Sequence, residues 1–288
     1  MKNDNAIEIR HLTKEYRSFC LEDINLMVPK GTILGLIGEN GAGKSTTIKC
    51  ILNLVRCNGG EIQVLGLDHR AQEREVKART AVVFDECPFH ETLTPAMVGK
   101  VLSGACPDWD EARYAALLRE FELPEDKIVK EFSRGMKMKL SIAAALARNP
   151  QVLLLDEATS GLDPVARDSI LEKLMDFVSD GERSVLLSSH ITSDLEKAAD
   201  YVAYLHKGKL LLQGEKDELL ADFGRLACTH AELDGVDSAF LVGVRKSQFQ
   251  CEALIRRKRE FQRLYPKLAV DPVDLEDIMV FTVRGEEA

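Results

Sequence analysis

No stretch of the chain approaches the roughly 18–20 apolar residues that a membrane-crossing helix needs. "SIAAALA" (Ser141–Ala147) is among the longest, and it is soon interrupted. The opening "MKNDNAIEIR" is charged and has no apolar segment, so no secretory signal is expected. Cysteine is thinly spread. The seven (Cys20, Cys50, Cys57, Cys87, Cys106, Cys228 and Cys251) are odd in number and form no CxxC. That excludes a cysteine metal framework and predicts reduced thiols in a cytosolic protein. Positive charge is in deficit, with a formal net charge of −9, which argues against a dedicated nucleic-acid binder because phosphate backbones repel such a surface. Internal repeats and low-complexity segments are missing too.

What remains is a chain of 288 residues, 45% hydrophobic, enough for one large domain or one domain with an appendage. Short apolar runs suited to buried strands are "TILGLIG" (Thr32–Gly38), "TAVVF" (Thr80–Phe84), "QVLLLD" (Gln151–Asp156) and "SVLLSS" (Ser184–Ser189). Helical stretches are expected between them, notably Lys44–Leu54, Met136–Arg148 and Pro164–Ser179. This alternation predicts an α/β core with a mainly parallel sheet. "AIEIRHL" and "CLEDINLMV" predict an antiparallel flank, and residues Pro95–Val129 a helical insertion. After Phe223 the character changes: short strands, "EALIRRKREFQRLYP" as a basic helix and "VDLEDIMVFTV" as a closing helix suggest a small second domain from about Gly224.

The strongest local signal is "GENGAGKST", comprising Gly38, Glu39, Asn40, Gly41, Ala42, Gly43, Lys44, Ser45 and Thr46. It fits G-x-x-x-x-G-K-[ST] and follows a predicted strand. Glycines let successive backbone N–H groups curl around phosphates without Cβ clashes, and the next helix turns its positive end to the same anion. Lys44 can reach the β- and γ-phosphates, and Ser45 can ligate Mg²⁺. In "VLLLDE" an apolar strand ends abruptly in two acids. Their mutual repulsion calls for a cation or a catalytic task. Asp156 is the expected Mg²⁺ holder, and Glu157 the group that orients and polarises the attacking water. "LSSH" closes another apolar strand, from which a neighbouring parallel strand would deliver His190 towards the γ-phosphate. Between these lie "FSRGMKMKL" (Phe132–Leu140) and "SGLDP" (Ser160–Pro164), the latter read alone as a turn with proline at the first helical position.

Taken in this order and approximate spacing, the five motifs resemble the ATPase domains of ABC transporters over roughly Ala6–Phe223. The resemblance implies an ABC-type P-loop ATPase with ATP and Mg²⁺ as cofactors. It has a parallel core, an antiparallel β flank and a helical subdomain at about 86–148; residues 224–288 form a small α+β accessory domain. It implies a head-to-tail dimer with a second copy. Ser133, Arg134, Gly135 and the helix behind them would then face the γ-phosphate held by the partner, and Asp163 would communicate between the two sites. By the same resemblance, Tyr16 stacks on adenine and Asp85 falls where the family often has glutamine, within reach of the metal. Two departures stand out. The common Leu-Ser-Gly-Gly-Gln reads Phe132-Ser133-Arg134-Gly135-Met136 here, giving a stiffer and more cationic turn. Asp85 cannot donate a hydrogen bond as an amide does.

The subfamily resemblance is to ATPase subunits of bacterial peptide and antimicrobial exporters, which implies a separately encoded transmembrane permease. It implies a cytoplasmic location, peripheral on the inner face of the cell membrane. The groove beside Asp85–Thr94 is the expected docking site, with Phe89 either exposed or buried. Two rivals stay open: a soluble ABC ATPase acting on nucleic acid or ribosomes, and a nucleotide-gated regulatory module. No nucleic acid is expected, because "IRRKRE" (Ile255–Glu260) reads as a solvated helix face.

Overall fold

A computed structural model describes residues 5–286, which fall into two compact units, one up to Leu210 and one from Leu211. The first unit opens with β1 (Asn5–Glu15) and β2 (Cys20–Pro29), followed by β3 (Ile33–Ile37) and α1 (Lys44–Ile51). Next come β4 (Gly59–Val64), β5 (Leu67–Asp68), α2 (Glu73–Arg79) and β6 (Thr80–Val83). Three helices interrupt the core at this point: α3 (Pro95–Ala105), α4 (Glu111–Glu120) and α5 (Arg134–Leu146). The core then resumes with β7 (Val152–Asp156), α6 (Pro164–Val178), β8 (Ser184–Ser189), α7 (Thr192–Ala198) and β9 (Tyr201–His206). β10 (Lys209–Glu215) lies next to β9 at the sheet edge, and the division between the units falls within it, ahead of the expected Gly224.

Burial explains the two kinds of sheet. Every residue of β3, β7 and β8 is buried. Strands apolar on both faces suit a parallel sheet covered on both sides, and they occupy the middle of the order β9-β3-β8-β7-β6. In β2, by contrast, buried Leu21, Ile24, Leu26 and Val28 are spaced by exposed Asp23, Asn25 and Met27. That period-two pattern gives the antiparallel sheet β2-β1-β4-β5, with Ile9 opposite Leu26. One core joins the two sheets, bringing Ile9 and Leu26 together with Ile48 of α1 and Leu154 and Leu186 of the parallel strands.

In the helical insertion, Thr94 and Asp110 cap α3 and α4 by accepting hydrogen bonds from Met97 N and Arg113 N. Tyr114 donates to the Pro95 carbonyl at 2.9 Å, tying the two helices.

The second unit contains α8 (Lys216–Asp222), β11 (Gly224–Cys228), α9 (His230–Asp234), β12 (Leu241–Lys246) and β13 (Cys251–Ile255). It ends with α10 (Lys258–Leu264), β14 (Val270–Asp271) and α11 (Leu275–Glu286). Its antiparallel sheet runs β12-β13-β11-β14 around a small core of Leu226, Phe240, Ile255 and Phe261. The expected basic helix is shorter than its sequence suggested. Ala253, Leu254 and Ile255 are fully buried in the central strand β13, and the helix starts only at Lys258, after Arg257 takes a left-handed φ of 55°. Likewise α1 ends at Ile51 rather than Leu54, with Asn53 turning the chain at φ 53°.

Candidate active site

The phosphate-binding loop leaves the buried strand β3 and enters α1. Its glycines are dictated by space and by backbone conformation. A Cβ on Gly38 would lie 2.4 Å from the Leu205 carbonyl oxygen. Gly43, at φ 115°, would collide with Leu21 at 2.5 Å and Phe19 at 2.9 Å. The loop borders a cavity of about 450 Å³ lined by Phe19, Asn40, Gly43, Lys44, Thr46 and Glu157, among others. Glu39 and Gly41 lie on the same rim, while Ala42 is buried beneath it.

Lys44 is only 4% exposed, yet its ammonium is fully engaged. It donates to the carbonyls of Gly38 at 2.6 Å and Glu39 at 3.1 Å, and it pairs with Glu157 Oε1 at 2.9 Å. A cation this buried has to be paired in this way. Register supplies the other side of the site. The parallel pairing of β7 with β8 sets Asp156 opposite Ser188, so Glu157 and His190 leave neighbouring strand ends together. Ser45 Oγ donates to Asp156 Oδ1 at 3.0 Å, and Ser188 Oγ donates to the same oxygen at 2.8 Å. Glu157 takes a left-handed φ of 54°, held by its N–H donating to Ser188 O and Oγ at 3.2 and 3.1 Å. His190 Nδ1 lies 2.7 Å from Glu157 Oε2. The carboxylate can only accept, so Nδ1 is the donor in this contact, which fixes the ring and turns Nε2 away from Glu157. Glu157 therefore stands between Lys44 and His190.

The donor set fits a nucleotide with Mg²⁺. A hydroxyl and a carboxylate oxygen, Ser45 and Asp156, are hard ligands already within hydrogen-bond distance of each other. Mg²⁺ commonly takes one or two such groups and leaves its other positions to phosphate and water.

The remaining predicted residues lie elsewhere. Ser133 caps α5, its Oγ accepting from Met136 N at 3.2 Å, and Asp163 caps α6, its Oδ1 accepting from Ala166 N at 3.0 Å. The two turns touch: a Cβ on Gly135 would lie 3.0 Å from Ala166 Cβ and 3.6 Å from Asp163 Oδ2. A Cβ on Gly161 would lie 3.0 Å from the Arg134 guanidinium. None of Ser133, Arg134, Gly135 or Asp163 lines the phosphate cavity of its own chain. Tyr16 is 47% exposed after β1, with Lys14 Nζ 4.8 Å from its ring centroid. Asp85 is exposed and lines a different groove, with Glu86, Phe89, Arg134 and Lys137. Phe89 is half-buried there. Sequence reasoning missed Ser188 and Phe19. The signal for Ser188 lay in "LSSH", but its meaning depends on the strand register.

Residues 21–160 match the ABC transporter family. The lantibiotic transport ATP-binding protein SrtF of Streptococcus pyogenes is 35% identical over 73% of this chain and 91% of its own length. The ABC transporter ATP-binding protein YtrB of Bacillus subtilis is 28% identical over 97% of this chain and 99% of its own. Among solved structures, an ATP-binding subunit of an ABC transporter superposes with a TM-score of 0.67 at 31% identity, covering 74% of this chain and 91% of that one. A phosphate loop backed by two strand-end acids is thus found in a chain whose relatives bind ATP under the same fold, and the protein belongs to the ABC transporter family as an ATP-binding, ATP-hydrolysing subunit.

Proposed function

We propose that this subunit works as a head-to-tail dimer that hydrolyses ATP to drive export through a separately encoded transmembrane permease. The observation that carries this reading is the separation of Ser133, Gly135 and Asp163 from the phosphate cavity of the same chain. The capped N-terminus of α5 offers a hydroxyl and a positive helix end to an anion. A second copy, turned head to tail, brings an anion to it. Lys44 and the Gly38–Thr46 backbone hold the triphosphate, Tyr16 stacks on the base, and Ser45 and Asp156 hold Mg²⁺. Once bound, Mg²⁺ offsets charge on the β- and γ-phosphates. Glu157 orients and polarises the attacking water, and His190 steadies the γ-phosphate. Ser133, Arg134 and Gly135 close the partner's site, and Asp163 links the two.

No helix among the described residues is long and apolar enough to cross a membrane, and relatives named as transport ATP-binding proteins support a translocation path on another polypeptide. The subunit then sits on the cytoplasmic side, held there by the permease. The groove containing Asp85 and Phe89, at the root of the helical subdomain (about 86–148), is the docking site. Asp85 couples nucleotide and Mg²⁺ to it. Export is supported by the lantibiotic transport protein among the relatives. Residues 224–288 are an accessory domain.

Replacing Glu157 with Gln tests the reading, because it removes the water-polarising charge and leaves the phosphate loop intact. The variant is expected to bind ATP, lose at least about a hundredfold in turnover and accumulate as a dimer on size exclusion with Mg-ATP. Near-parental hydrolysis by a monomer would contradict both the role of Glu157 and the dimer.

A further inference from the structure

Beneath the strand-end acids lies a second polar cluster to which the reading above gives no role. Asp194, in α7, is 2% exposed, and Thr159, two residues after Glu157, is fully buried. Arg167 reaches in from α6, its Nη1 3.7 Å from Asp194 Oδ1 and its Nη2 donating to the Leu162 carbonyl at 3.3 Å. Leu162 belongs to the same turn as Asp163, and Asp194 lies four residues after His190, in the first turn of α7. One guanidinium thus spans from the turn that carries Asp163 to the segment that carries His190.

The cluster is incompletely satisfied. Arg167 Nε, Asp194 Oδ2 and Thr159 Oγ1 are buried without a hydrogen bond of normal geometry among the described residues, although the Thr159 hydroxyl lies near enough to act on the Asp194 carboxyl. Burial pushes the Asp194 carboxyl above its ordinary range, against the pull of Thr159 and Arg167. Native folds seldom keep several such groups together without a use for them. At 3.7 Å the pair is longer than a hydrogen bond, so it has room to close into the two-pronged arrangement that arginine and carboxylate prefer. Nearer the surface, the same helices are joined by a second ion pair, Lys197 with Asp168, whose side chains are well exposed.

We propose that Arg167 and Asp194 are positioning residues for hydrolysis, linking the Leu162–Asp163 turn to His190 so that the two enter the closed site together. This rests on the roles given above to His190 and Asp163. The link adds a connection inside one chain: a turn pressed by the partner passes its displacement through Arg167 to the helix behind the histidine. The exposed Lys197–Asp168 pair joins the same helices yet touches neither the turn nor the site, so it serves as the control.

The experiment measures steady-state ATPase and fluorescent-nucleotide affinity on the full chain. Arg167→Met and Asp194→Asn are each expected to lower kcat about tenfold, with KM and nucleotide affinity within about threefold of the parent. The double variant is expected to be no slower than the worse single one, since both break the same link. Arg167→Lys keeps the charge but not the fork, so an intermediate kcat is expected. Lys197→Met should stay within about twofold, as surface ion pairs contribute little. Parental kcat in Arg167→Met, multiplicative losses in the double variant, or an equal loss in Lys197→Met would each overturn the link. If Asp194→Asn does not fold, Arg167→Met and Arg167→Lys decide, since Arg167 is partly exposed. His190→Ala is run alongside. If it is fully active, the underlying reading falls; if it is inactive while Arg167→Met is fully active, only the link falls.

Discussion

Three groups converge on the Lys44 ammonium: two carbonyls of its own loop and the Glu157 carboxylate. A triphosphate entering the cavity brings more negative charge than Glu157 offers, so the lysine changes partners on binding. Lys44→Ala is therefore expected to weaken nucleotide binding by at least about tenfold, with backbone contacts keeping the remainder. A fluorescent-nucleotide titration checks this, and parental affinity would mean that the loop holds phosphate without its lysine. Much at this scale was legible in the sequence. Lys44, Ser45, Asp156 and Glu157 occupy motifs whose spacing along the chain is itself the geometry. Ser188, Arg167 and Asp194 were not legible. Each is an ordinary residue until the pairing of β7 with β8, or the packing of α6 on α7, gives it a neighbour.

The decisive elements are the two capped helices, α5 and α6. Ser133 and Asp163 each accept a hydrogen bond from the first turn of the helix they precede, which fixes both turns and leaves them side by side. Ser133→Arg costs the α5 cap about 1 kcal/mol, too little to unfold the domain, and places a bulky cation where a second copy must approach. The expected result is parental ATP affinity in the monomer and no ATP-driven dimer. Loss of monomer affinity would instead place the turn in its own chain's site. Most element types were readable from period and burial, because strands such as "VLLLD" are apolar on both faces. The tail was less readable. Basic residues around Leu254 and Ile255 suggested one continuous helix, whereas burial of those two side chains in a central strand decided otherwise.

At the scale of the whole molecule, every residue assigned to hydrolysis lies in the first unit, and the second unit has its own sheet and its own core. A chain ending at Phe223 is accordingly expected to fold and bind ATP with affinity within about threefold of the parent, while its turnover or dimerisation changes. Aggregation of that shorter chain, followed by scattering and nucleotide titration, would show that the first unit depends on the second. The alternation of strands and helices made the α/β class legible. The strand order did not follow from it, because parallel neighbours are chosen by crossovers and not by sequence adjacency. β3 lies between β8 and β9, strands well over a hundred residues away along the chain.

Tyr16 stands open to solvent with a lysine above its ring. A base laid on that ring displaces Lys14 and gains a flat contact, but stacking reads no edge, and every base has a face to offer. Grip comes from the phosphate end, which all nucleoside triphosphates share. With Tyr16 in its proposed stacking role, selection among purines would fall to supply, not to the site. GTP turned over within about threefold of ATP at saturation is the expected sign of such tolerance. A preference of two orders of magnitude for ATP would reveal a reader of the adenine edge beyond the tyrosine.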